Sequence, residues 1–105
     1  MFGIPSIVEA KLRFGAENSS NPEEGRFLLD RFLEPFAIIL FDSNCAEEYA
    51  KARHSLKVQG RMIGPNDLLI AAAALAHDAT LITNNTREFG RVEGLKLESW
   101  GVEEF

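Results

Sequence analysis

The run Ala37-Ile38-Ile39-Leu40-Phe41 is apolar without a break. A strand with one wet face alternates polar and apolar residues, whereas an unbroken run asks for cover on both faces, as in a parallel sheet layered between helices. Thr80-Leu81-Ile82-Thr83 reads as a second buried strand, Phe2-Gly3-Ile4-Pro5 as the end of another, and Leu95-Lys96-Leu97-Glu98 alternates like an edge strand. Helical signals fill the intervals. Ser6-Ile7-Val8-Glu9 has the form of a capping box, with Ile7, Ala10 and Phe14 at helical spacing and Gly15 as a stop. Asn21-Pro22-Glu23-Glu24 opens a second helix, which carries Phe27, Leu28 and Phe32 near one face and ends before Pro35.

Asp42-Ser43-Asn44 caps a third helix, Cys45 to Val58, closed by Gly60. Asn66 is expected to cap a fourth, whose Ala71-Ala72-Ala73-Ala74 stretch suits close packing against a neighbouring layer. Thr86 to Phe89 reads as one further helical turn. The order (β)-α-α-β-α-α-β-(α)-β indicates a layered α/β fold with a parallel sheet. With 105 residues and no linker-like stretch, the chain is expected to be one domain over 1–105.

Composition narrows the function. Eleven Lys+Arg against 16 Asp+Glu give a net charge of −5, which excludes a passive nucleic-acid coat but not an enzyme that reaches phosphates through bound cations. The single cysteine, Cys45, allows neither an internal disulfide nor a cysteine-cluster metal site and suits a reducing compartment. It reads as a small buried hydrophobe, because no histidine lies near it in sequence. His54 and His77 lack the short spacing of a paired metal site. No apolar run spans a membrane and the N-terminus lacks the form of a signal peptide, so a cytoplasmic chain is expected. There is no phosphate-cradling glycine loop, and Trp100 is read as closing one end of the core.

Three acids stand near strand ends and helix starts, where α/β folds place their sites. They are Glu9 in the first helix, Asp67 just after the cap of the alanine-rich helix, and Glu88 after Thr80–Thr83. Carboxylates from different elements suit a hard cation, which can polarise a phosphoryl oxygen and activate water. Taken singly, each has an ordinary role: Glu9 as the partner of Ser6 in the capping box, Asp67 as a complement to the helix dipole, Glu88 as a solvated loop acid.

The residues also carry a resemblance. Ile63-Gly64-Pro65-Asn66-Asp67-Leu68-Leu69-Ile70-Ala71-Ala72, then Ala79-Thr80-Leu81-Ile82-Thr83-Asn84-Asn85-Thr86-Arg87-Glu88-Phe89 and Arg91-Val92, resemble the C-terminal half of a VapC-type PIN-domain toxin. Ile4 through Ala16 is similar to that family's helix bearing its second acid. The resemblance implies a Mg²⁺- or Mn²⁺-dependent endoribonuclease, the toxin of a type II toxin–antitoxin pair. It maps the second, third and fourth acids of the family site onto Glu9, Asp67 and Glu88, in both metal-holding and catalytic roles. Thr83, Asn84 and Asn85 match supporting polar positions, and Arg87 and Arg91 are weaker candidates for phosphate contact. The implied partners are RNA, a cognate antitoxin and a second copy of the chain.

One departure stands out. Family members open with a strand bearing an aspartate, then a helix, ahead of the glutamate helix; here the glutamate is already at position 9. The expectation is therefore a PIN-like three-layer fold lacking its usual first central strand and first helix, with weakened metal binding and lowered stability. The alternative function is a catalytically impaired PIN remnant that only binds antitoxin or dimerises. In that reading the second helix contributes to a partner groove, although a core role for Phe27 and Phe32 is the expected one.

Overall fold

A computed structural model describes residues 3–99. The chain divides into two compact units, Met1–Leu40 and Phe41–Phe105.

In the first unit, β1 (Gly3–Pro5) pairs in parallel with β2 (Ala37–Ile39), setting Gly3 opposite Ala37 and Pro5 opposite Ile39. Between them run α1 (Ser6–Glu17) and α2 (Pro22–Leu33). The chain turns from β1 into α1 without a loop. Pro5, extended at φ −60° and ψ 142°, occupies the N-cap position without a side-chain cap. The expected capping box is thus not formed: Ser6 is the first helical residue, and the Glu9 carboxylate accepts instead from Arg13 Nε at 3.0 Å. Nor does Gly15 stop the helix, which runs to Glu17 and ends where the Ser19 hydroxyl donates to the Ala16 carbonyl at 2.7 Å. The second helix starts as expected, with the Asn21 side chain accepting from the Glu24 N–H at 3.2 Å and Pro22 in the first turn.

Two expectations about burial fail here. β2 is half-buried and stops at Ile39, leaving Leu40 exposed. Phe27, Leu28 and Phe32 do not join a core but stand 59%, 57% and 56% exposed. Apolar spacing marks a helix face; it does not say what covers that face.

The second unit contains α3 (Ser43–Gln59), α4 (Pro65–Ala76), β3 (Thr80–Ile82), α5 (Thr86–Phe89) and β4 (Lys96–Glu98). Asp42 caps α3 by accepting from the Cys45 N–H at 3.1 Å. Gly60 closes it in the left-handed region, φ +68°, as the Arg61 N–H returns to the Leu56 carbonyl at 2.9 Å. α4 begins two residues earlier than expected: Gly64 takes the N-cap position, Pro65 the first turn, and Asn66 lies inside the helix. Proline's fixed φ and missing N–H suit that first position. Ala71, Ala72, Ala73 and Ala74 are all buried, so the small side chains let α4 lie close against α3. Leu56, Leu68, Ile70, Phe89 and Val92 complete this core.

β3 pairs in parallel with β4 in the register Thr80–Lys96 to Ile82–Glu98. Parallel pairing is as the apolar runs imply. Among the described residues the strands form two two-stranded sheets, β1 with β2 and β3 with β4. Trp100 lies outside the described residues.

Candidate metal-binding acidic site

Asp67 sits in the first turn of α4, and Glu88 on α5 just beyond β3. The fold brings the two carboxyl groups into hydrogen-bond contact. Two further donors fix Glu88. The Gly64 N–H, at the mouth of α4, donates to Oε2 at 3.2 Å, and Asn85 Nδ2 donates to Oε1 at 3.0 Å. Asn85 is itself held in place, its N–H donating to Thr83 Oγ1 at 3.0 Å.

The electrostatics follow from these contacts. The Asp67 hydrogen bond, then the Gly64 N–H, hold the Glu88 carboxyl below its ordinary value. Asn85 and the positive charge of Arg91 act in the same direction, while partial burial opposes them. Arg91 is anchored by donating from Nη1 to the Met62 carbonyl at 3.2 Å. A hydrogen bond between two carboxyl groups needs a proton between them. A divalent cation, oxygen-seeking and positive, suits the same place, so the chemistry of this donor set fits a hard divalent ion.

Thr83 and Asn85 support Glu88 through the chain of contacts above, and Arg91 stands beside it. Asn84 and Arg87 are exposed. Glu9 belongs to the first unit, where Arg13 bridges it to Asp30, reaching the Asp30 Oδ1 from Nη1 at 3.2 Å. The residue that sequence reasoning missed is Gly64, which acts through its backbone N–H; only a helix start directly after it could have signalled that role. A surface cleft of about 220 Å³ beside α3, lined by Lys51, Leu75 and Val92 among others, includes neither acid.

Residues 2–95 match the PIN domain family. The chain belongs to the PIN domain family. Among relatives of this PIN domain, Ribonuclease VapC2 of Rickettsia felis is 45% identical over 97 residues, covering 92% of the chain and 72% of the relative. The tRNA(fMet)-specific endonuclease VapC of Shigella flexneri is 37% identical, covering 92% and 74%. Among solved structures, VapBC2 of R. felis bound to a promoter DNA fragment superimposes with a TM-score of 0.88 at 45% identity, over 93% of this PIN domain and 74% of that chain. VapBC-1 from nontypeable Haemophilus influenzae gives 0.89 at 35% identity, over 94% and 74%. The acid pair therefore lies in a PIN domain whose relatives are named ribonucleases and whose structural neighbours include toxin–antitoxin complexes. Among the described residues no helix is long and apolar enough to cross a membrane.

Proposed function

We propose that the chain is an endoribonuclease, the toxin of a VapBC-like type II toxin–antitoxin pair, that hydrolyses phosphodiester bonds of RNA with Mg²⁺ or Mn²⁺. The observation that carries this reading is the hydrogen-bonded Asp67–Glu88 pair inside a matched PIN domain. The PIN match runs through both compact units, which supports one domain over the whole chain. Its partners are RNA, an antitoxin and a second copy of the chain, and its compartment is the cytoplasm.

Asp67 and Glu88 would hold the cation; for Glu9 the family resemblance is what supports a role as a further acid. When bound, the ion supplies Lewis-acid polarisation of the phosphoryl oxygen and lowers the pKa of water. The chain's own residues do the rest. Gly64 N–H and Asn85 Nδ2 fix the two oxygens of Glu88, so that the carboxylate is oriented before substrate arrives. Arg91 places positive charge where a phosphate must come. One carboxylate would accept the proton of the attacking water, whose oxygen adds to phosphorus as the P–O bond to the departing ribose oxygen breaks and that oxygen takes up a proton, with no covalent enzyme intermediate.

The exposed apolar face of α2 favours a second reading, in which the chain only binds an antitoxin or dimerises. One assay separates the two. The chain is incubated with a mixed RNA pool and Mg²⁺ or Mn²⁺, alongside EDTA and Asp67→Asn controls. Cleavage abolished by both controls is the expected result. A folded chain that leaves RNA intact under all conditions overturns the nuclease reading in favour of the binding one.

A further inference from the structure

At the far end of α4 from Asp67, a second set of metal-ligating atoms converges. Asp42, Cys45 and His77 each offer one ligand atom, and the three atoms lie within 4.8 Å of one another. Asp42 and Cys45 stand at the N-terminus of α3, three residues apart, and His77 is the C-cap residue of α4. From Asp67 to His77 is ten residues of helix, about 15 Å along the axis, so this cluster is distinct from the acid pair.

We propose that Asp42, Cys45 and His77 form a binding site for a borderline-soft divalent cation of the Zn²⁺ class. The donor set is one sulfur, one imidazole nitrogen and one carboxylate oxygen, which suits Zn²⁺ and not the hard, oxygen-preferring ions of the Asp67–Glu88 pair. A tetrahedral ion with ligands at about 2.0–2.3 Å holds neighbouring donors roughly 3.3–3.7 Å apart. The present separations, at most 4.8 Å, exceed that range by little more than about an ångström. Three protein ligands leave the fourth position to water, the count typical of an open zinc site.

The local dipoles agree with this assignment. Asp42 and Cys45 stand at the positive end of α3, which favours anionic donors, while burial and the adjacent Asp42 carboxylate push the Cys45 thiol up, so that its proton is given up only in exchange for the ion. The third donor comes from the negative end of α4, which favours a cation. The Asp42 Oδ1 accepts from the Cys45 N–H at 3.1 Å, which fixes the carboxylate beside the thiol. Cys45 is fully buried while Asp42 and His77 are exposed, so the ion enters from the solvent side and meets sulfur last. Binding replaces the thiol proton, which leaves to solvent. The bound ion ties the start of α3 to the end of α4.

The test uses the whole chain, stripped with EDTA and then freed of chelator, and its readout is independent of nuclease activity. Titration with Co²⁺ should give one equivalent with thiolate-to-cobalt charge-transfer absorption and intense tetrahedral d–d bands, displaced by Zn²⁺ and not by excess Mg²⁺. His77→Gln, at an exposed position, should weaken Zn²⁺ binding by at least about 10–100-fold, the loss that even outer-shell partners of a metal bring. Cys45→Ser should remove the charge-transfer band, with circular dichroism reporting that the variant is folded. Asp67→Asn should bind Zn²⁺ as the parent chain does. Absence of one-equivalent Zn²⁺ binding overturns the proposal. So does binding that survives His77→Gln unchanged, or binding that is lost in Asp67→Asn.

Discussion

Glu88 is the residue on which most of the site's physics falls. Its carboxylate takes hydrogen bonds from Gly64 and Asn85 and shares contact with Asp67, and together these lower its proton affinity in the folded chain. A carboxyl with a depressed folded value adds stability that is present above its unfolded pKa and is lost as pH falls through the folded one. Acid unfolding, followed by circular dichroism, should therefore show a limb below the ordinary carboxylate range that becomes shallower in Glu88→Gln. The same substitution should lower RNA cleavage by about 100-fold or more, since it removes a charge from the cation's donor set. Asn85→Ala should act more gently, because Gly64 still holds the other oxygen; a loss of about 10-fold, recovered at higher Mn²⁺, is expected of a positioning residue. Glu9, Asp67 and Glu88 were all visible as candidates in sequence, but three acids among sixteen had no special mark without the family resemblance. What the structure adds is contact between Asp67 and Glu88 across 21 positions of chain. No local pattern encodes that distance.

At the level of elements, helix ends carry the clearest contrasts. Gly60 closes α3 at φ +68°, a conformation that costs an L side chain about 1–2 kcal/mol, and open space surrounds its Cβ position. Gly60→Ala should therefore destabilise by about 1 kcal/mol through backbone strain alone, measured by urea unfolding. Gly15 has the opposite situation, because α1 continues through it and nothing lies near a Cβ placed there. Gly15→Ala should stabilise by about 0.5–1 kcal/mol in the same assay. Both glycines read as stops in sequence. Only one is, because the carbonyl of Ala16 is taken by Ser19 and not by a turn at Gly15. Caps built from a side chain and the next turn, Asn21 and Asp42, were legible for the reason that they are local. The Ser6–Glu9 box was not realised, since Arg13 one turn on offers the glutamate an opposite charge.

For the whole molecule, the net charge of −5 means that RNA is not drawn in by a general positive field. Binding to RNA should consequently be weak in EDTA and strengthen on adding Mn²⁺, as measured by fluorescence anisotropy, with Glu88→Gln losing most of that gain. Affinity unchanged by chelation would place recognition elsewhere on the surface. The distribution of apolar residues makes a second whole-molecule statement. Leu56 and Leu68 are buried in the second unit, whereas Phe27, Leu28 and Phe32 of the first lie open. Leu56→Ala should lose about 2–5 kcal/mol of stability, and Phe32→Ser about 0.5 kcal/mol or less, by urea unfolding.

The sequence by itself determined the element order, the parallel sense of the strands, the close-packed alanine helix and most helix ends, because these follow from periodicity and from contacts within a turn or two. It also held the family resemblance that singles out three acids. Tertiary structure alone decided that the α2 face stays exposed, and that Gly64 and Asn85 grip Glu88. It alone set His77 beside Cys45, a thiol that in sequence has no histidine near it. Such contacts arise where helices that are distant in the chain pack side by side, and spacing along the chain carries no record of that meeting.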